Sequence, residues 1–242
     1  MSLEIGTIAA LLVAAFIGGI VSGLTGFAFS LVTAGVVTRV LPPSSAALIL
    51  VAAPFLLQVF SLVQFRHAIQ WARLWPFLVG GVLGIPVGAE ILRRIDAHSF
   101  RLLIGCLLIF YSVVMLSIRR PVRIDGGAPA DGAVGFLGGV LGGLSGFAGA
   151  LPTMWAGLRG WPKDEQRAVF QPFILLIQFL TLVWMEVQGT ITLPALVSFL
   201  VCVPAMLAGL WLGLRLYGRV DERGFRRIVL WLLLVSGITL VV

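Results

Sequence analysis

From Ile5 to Thr38 the chain runs for 34 residues without Asp, Glu, Lys, Arg or His. One straight α-helix of that length reaches roughly 50 Å at about 1.5 Å per residue. The hydrocarbon core of a bilayer is about 30 Å thick. The run is too apolar for water and too long for a single straight span, so something must break it. Ser22-Gly23-Leu24-Thr25-Gly26 is the place where it breaks most easily. The outcome is either two helices or a re-entrant hairpin of two half-helices. Non-helical backbone at that depth is tolerated only where protein covers it or it lines a polar cavity.

The same stretch occurs twice. Gly18 to Ser30 and Gly138 to Ala150 share seven of thirteen positions, and Thr25 and Ser145 keep a hydroxyl in the same slot. Glycines alone could serve close helix packing, because they let transmembrane backbones approach. A Gly-rich interruption repeated at corresponding places in two halves points instead to a transporter's binding site. The echo extends along the chain: Gln178 aligns with Gln58, and Gly213 to Phe225 follows Gly88 to Phe100. The expected organisation is a first repeat at 1–118, a linker at 119–132 and a second repeat at 133–242, in one membrane domain.

Composition agrees. Hydrophobic residues make up 60% and charged ones 11%, against about 25% charged in soluble domains. The fold class is therefore an all-α integral membrane protein, with about eight hydrophobic segments in two homologous halves, the first and fifth broken by the Gly-rich motifs. The net charge of +7 does not imply nucleic acid, since the Lys and Arg lie between spans, where the cytosolic bias of basic residues accounts for them. If both broken runs are re-entrant, the repeats are inverted, and Arg39, Arg93, Arg94 and Arg101 stand apart from the other 13 of the 17 Lys and Arg. If both runs cross once, the repeats are parallel and the split is 12 against 5. Both arrangements put the loop from Arg215 to Arg227 in the cytosol. Cys106 and Cys202 lie in separate apolar runs and form no disulfide or metal pattern. No metal and no cofactor is expected.

The organisation resembles the TauE/SafE sulfite-exporter family of bacterial membrane transporters. Several elements carry the resemblance: the two Gly-rich segments, Arg93-Arg94-Ile95-Asp96 with its copy Arg219-Val220-Asp221, and His67-Ala68-Ile69-Gln70-Trp71 with Gln188-Gly189-Thr190-Ile191. It covers nearly the whole chain. The sequence departs from the family's usual pattern at Phe29-Ser30, at Ala52-Ala53 and at Phe170-Gln171. The resemblance implies a multi-pass protein of the cell inner (cytoplasmic) membrane that exports or takes up sulfite, sulfonates or related sulfur-containing anions. The partners expected are a small anionic substrate and the lipid bilayer, and a homodimer is a possible assembly.

The residues support an anion site by their own chemistry. A broken helix offers free N–H groups and a positive dipole end where its second half starts. The candidate substrate-binding residues are Ser22, Gly23, Thr25, Gly26 and Phe27 at the first break, and Gly143, Ser145, Gly146 and Phe147 at the second. The amides of Gln58, Gln171 and Gln178 join them at membrane depth. Pro54 and Pro172 each free a carbonyl in their helices. Glu90 is expected to pair with Arg93 and Arg94 within one helical turn. Two other readings compete. Gly143-Leu144-Ser145-Gly146 matches the Gly-x-Ser-Gly of rhomboid-like intramembrane proteases, but a serine nucleophile needs a base in reach, and His67 and His98 both lie upstream at helix ends. No enzymatic activity is expected. A membrane scaffold explains packing glycines but not paired breaks with polar linings. A channel-like or uptake carrier for another small organic anion remains the alternative substrate reading.

Overall fold

The computed structural model describes residues 5–65, 70–117, 126–217 and 222–241. The readings that rest on 66–69, on 118–125 of the linker and on 218–221 fall outside the described residues. The described residues form helices only: α1 (Ile5–Thr25), α2 (Phe29–Val40), α3 (Pro43–Phe65), α4 (Trp71–Arg94), α5 (Ala97–Ser117), α6 (Gly127–Ser145), α7 (Ala150–Leu158), α8 (Lys163–Val187), α9 (Leu193–Leu216) and α10 (Glu222–Val241). Among them, six are long and apolar enough to cross a membrane: α1, α3, α4, α5, α8 and α9. The apolar windows of α3 and α8 are 72% and 61% buried, against 33% to 44% for the other four. So α3 and α8 form the central pair, and the others present apolar faces outward.

Glycine sets how the outer helices pack. A Cβ on Gly19 would meet the backbone of Met206 and Leu210, and one on Gly23 would meet Leu210 and Leu214. Residue numbers rise together, so α1 lies parallel to α9 with the two backbones in contact. In the same way Gly80 meets Gly132, Gly84 meets Phe136, and Gly88 meets Val140, so α4 lies parallel to α6. Backbones this close exclude any larger side chain and gain dispersion contacts along their whole length. Gly105 meets Val241 and Gly237 meets Ile109, so α5 and α10 run antiparallel.

Two ends of the bundle follow. At one, the Arg93 end, the start of α3 (Pro43, Ser44) meets the end of α4 (Leu92, Arg93). At the other, the Arg167 end, Arg73 at the start of α4 bonds Glu165 at the start of α8 at 2.5 Å. There the guanidinium of Arg167 also lies 4.1 Å over the ring of Tyr217, just after α9.

α3 starts at Pro43, whose fixed φ and missing N–H fit a first helical position. The expected linker ends early, because α6 starts at Gly127 and Asp131 is buried within it. Pro129 is tolerated there because first-turn N–H groups have no helical partner to lose. Pro54 lies inside a continuous α3. The carbonyl it frees, that of Leu50, accepts the Ser30 hydroxyl at 2.6 Å, which ties α2 to α3.

Asp96 caps α5 at the Arg93 end. Its Oδ1 accepts the N–H groups of His98 at 2.9 Å and Ser99 at 3.0 Å, and its Oδ2 accepts the Ser99 hydroxyl at 2.7 Å. The Ser99 N–H, and next its hydroxyl, hold the Asp96 carboxyl down at about 2. A lowered folded pKa gives a contribution that is complete above about pH 4 and lost as the pH falls toward about 2. Amide exchange in the first turn of α5 should therefore accelerate on acidification through that window. Asp96→Asn should show no such step, and an identical profile in both proteins would refute the cap.

Candidate functional site

Both Gly-rich segments end a helix on a hydroxyl residue followed by a left-handed glycine. α1 stops at Thr25 and Gly26 takes φ +87°; α6 stops at Ser145 and Gly146 takes φ +75°. The N–H of Gly26 donates to the Ser22 carbonyl at 2.6 Å, and that of Gly146 to the Gly142 carbonyl at 3.0 Å. These are the closing bonds of a left-handed helix end, which glycine adopts without a Cβ penalty. The chain then re-enters a helix at Phe29 and at Ala150. α2 returns along α1, since a Cβ on Gly18 would lie 3.0 Å from the Phe29 ring. α7 returns along α6, with Gly138 3.2 Å from Pro152 by the same measure. The N-cap residues of α2 and α7, Ala28 and Gly149, supply no side-chain cap.

The central helices hold both segments by the same bond. Gln58 of α3 donates its Nε2 hydrogen to the Gly26 carbonyl. Gln178 of α8 donates to the Gly146 carbonyl at 2.7 Å. Both glutamines are buried, and the Oε1 of each has no hydrogen-bond partner among the described residues. Each amide therefore ties down one residue of a chain reversal and turns an unused acceptor into the protein interior. Such a group costs free energy unless something supplies a donor.

The two segments adjoin. A Cβ on Gly149 would lie 3.2 Å from that of Phe27, and the Phe27 ring meets Phe170 edge-on at 5.7 Å and Tyr111 at 6.5 Å. Their surroundings differ. Gly146 faces backbone, with its missing Cβ pointing at the Leu50 carbonyl that Pro54 leaves free of helical bonding. Gly26 faces side chains: a Cβ there would lie 2.7 Å from Gln171 Nε2 and 3.5 Å from Arg167 Nε. Gln171 is 1% exposed, and neither of its amide atoms has a partner among the described residues. Arg167 is 5% exposed and donates to the Leu24 carbonyl at 2.6 Å.

The remaining candidates serve the frame. The Thr25 hydroxyl donates to the Val21 carbonyl at 2.8 Å and accepts the Ala28 N–H at 3.3 Å. The Ser145 hydroxyl donates to the Leu141 carbonyl at 3.3 Å. Gly23 and Gly143 face the backbones of α9 and α4, Ser22 is buried in α1, and Phe147 is buried in the core with Leu144 and Phe100. Glu90 does pair with Arg94 at 2.6 Å and Arg93 at 3.3 Å. A cavity of about 360 Å³ opens at the Arg93 end, lined by Ser44, Arg93, Gly143, Trp184, Gln188 and Thr190 among others. Gly143 is one turn from Gly146, so this cavity approaches the second segment from outside.

Arg167 is the residue that sequence reading misses. It follows Lys163, Asp164 and Glu165 and looks like one more loop cation. Its only clue is that it immediately precedes the apolar run Ala168–Met185, one helical turn before Gln171. Among the described residues no group of three or more His, Cys, Asp or Glu comes together to hold a metal ion.

The family model for the sulfite exporter TauE/SafE matches residues 11–240. No curated protein and no solved structure matches the chain. With the match spanning nearly every helix described above, the chain belongs to the TauE/SafE sulfite exporter family, a family of membrane transporters.

Proposed function

We propose that the protein is a secondary transporter of small sulfur-containing anions in the inner membrane, built from two inverted repeats whose Gly-rich segments form the site. The observation that carries this reading is the shared bond from Gln58 and Gln178 to the carbonyls of two left-handed glycines 120 residues apart. Structural packing alone gives no reason for the same buried amide to be placed twice with its acceptor unused. The inverted arrangement is supported by α1 pairing with α9 and α6 with α4, each first helix lying along the fourth helix of the other half. It is supported too by the antiparallel α5 and α10. Arg39, Arg93, Arg94 and Arg101 then sit at the Arg93 end, and the positive-inside bias makes the Arg167 end cytosolic. The cavity beside Arg93 is the outer vestibule.

The test is binding to the purified full chain with a panel of sulfite, sulfate, taurine, sulfoacetate, acetate and chloride. Sulfur oxyanions should bind, and acetate and chloride should not. The Thr25 and Ser145 hydroxyls donate to the Val21 and Leu141 carbonyls in this state; if they turn to a bound anion, Thr25→Val and Ser145→Ala weaken binding roughly ten- to a hundredfold, the worth of one hydrogen bond to a charged group at about 1.5–3 kcal/mol, and unchanged binding leaves both in the frame. A chain that binds none of the sulfur anions, or binds acetate as well as sulfite, refutes the substrate class.

A further inference from the structure

The two chain reversals share a backbone but differ in what meets the carbonyl end of their helices. At the first, the Arg167 guanidinium donates to the Leu24 carbonyl at 2.6 Å, so a fixed cation sits at the negative end of the α1 dipole. The position 120 residues earlier, which stands in the same place toward the second reversal, is Ala47, apolar and fully buried. The closing bonds of α6 reach back to the Gly142 and Leu141 carbonyls, and among the described residues no backbone N–H bonds those of Leu144 or Ser145. We propose that the carbonyl end of α6 binds a monovalent alkali cation, held with Gln178 Oε1 and Thr181 Oγ1, where α1 has a guanidinium instead.

The two side chains are the second observation. Gln178 and Thr181 are fully buried, and neither Gln178 Oε1 nor Thr181 Oγ1 has a hydrogen-bond partner among the described residues. The bond from Gln178 Nε2 to the Gly146 carbonyl at 2.7 Å fixes which end of that amide is oxygen and holds it beside the reversal. Thr181 follows on the same face of α8, about 4.5 Å further along the axis. Both α6 and α8 run toward the Arg93 end, and helix carbonyls point along the chain, so the end of α6 opens toward the level of Thr181. Other helical hydroxyls, those of Thr33, Thr38, Thr153 and Ser198, donate to the carbonyl four residues back at 2.6 to 2.9 Å. Thr181 makes no such bond.

The kind of ion follows from the ligands. Carbonyls and an amide oxygen are acceptors only, and a hydroxyl can serve as one. A water has two hydrogens to offer such a set, whereas a hard cation is coordinated by every oxygen in it. With no carboxylate among them the ligands offer partial charges, which suit one positive charge rather than two. Carbonyl ends of interrupted membrane helices hold cations in this way. The cavity lined by Gly143, Trp184 and Gln188 gives a path in from the Arg93 end. The sequence does not disclose this site, because none of its ligands is ionisable and part of the set is backbone.

The experiment follows the melting temperature of the purified full chain in sodium, potassium and choline chloride at one ionic strength. Sodium or potassium should raise it saturably, and choline should not. Thr181→Val keeps the shape of the side chain and removes a hydroxyl that makes no bond here. The free variant should melt at or above the wild type, with apparent affinity for the cation lowered about tenfold or more. Thr181→Ser, which restores the oxygen, should restore the response. The inference is overturned if choline stabilises as well as the alkali ions, if no salt shifts the melt, or if Thr181→Val responds as the wild type does. The site does not depend on the transport reading above, but its role does. On that reading the ion travels with the anion, so sodium should tighten sulfite binding about five- to a hundredfold over choline, and equal affinities would remove that role. Cation stabilisation without binding of any anion keeps the site and sinks the transport reading. Anion binding without cation stabilisation does the reverse.

Discussion

Gly146→Ala should destabilise the protein by about 2–5 kcal/mol, while Gly26→Ala should cost only about 1–2 kcal/mol. Both glycines have positive φ, and an L-residue in that region costs roughly 1–2 kcal/mol. The difference lies in what the new methyl meets. At position 146 it points into the Leu50 carbonyl, a backbone atom of the central helix that cannot rotate away. Overpacking of that kind adds about 1–3 kcal/mol. At position 26 the nearest atom, at 2.7 Å, is the end of the Gln171 side chain, which can turn aside. Gly26→Ala should therefore fold and lose anion-induced stabilisation, whereas Gly146→Ala should lose folded protein. Thermal melts of the two variants with and without sulfite decide it. Equal losses of stability would mean that the Leu50 contact is not what fixes position 146.

Asp131→Ala should cost about 3–5 kcal/mol, the typical loss when one partner leaves a buried ion pair. The Asp131 carboxylate accepts both of its Arg159 bonds at 2.8 Å and the Trp155 indole N–H at 2.7 Å. The two charged side chains are only 8% and 17% exposed. Truncation strands the Arg159 guanidinium and orphans the indole at the junction of α6 and α7. Replacing both charges, as Asp131→Leu with Arg159→Met, should recover a large part of that loss, because no uncompensated charge remains. A double variant no more stable than Asp131→Ala would show that the pair is needed for itself, and not only to keep either charge from standing alone.

These two sites show how unevenly the chain discloses its structure. The membrane class is legible because apolar run length and charge scarcity are properties of the sequence alone. The pairing of Glu90 with Arg93 and Arg94 is legible because three- and four-residue spacings fix neighbours on a helix. The fitness of Gly26 and Gly146 to end a helix is equally local, since only a missing Cβ makes positive φ cheap. Asp131 is the opposite case. Assigned to a polar linker, it becomes buried because Arg159, 28 residues later, comes to meet it.

The sequence by itself therefore determined what depends on composition and on residues within one or two turns: an all-helical membrane protein, its family, and where glycine permits the backbone to turn left-handed. Only the tertiary structure decided what depends on which helix meets which. It assigned Gly23 and Gly143 to backbone contacts with α9 and α4, and gave the Leu50 carbonyl to Ser30. It also turned Arg167 from a loop cation into a buried neighbour of Gly26, 141 positions away in the chain. The physical reason is that burial and counter-charge are set by distances through space, and a one-dimensional pattern carries distance only as far as a single helix extends.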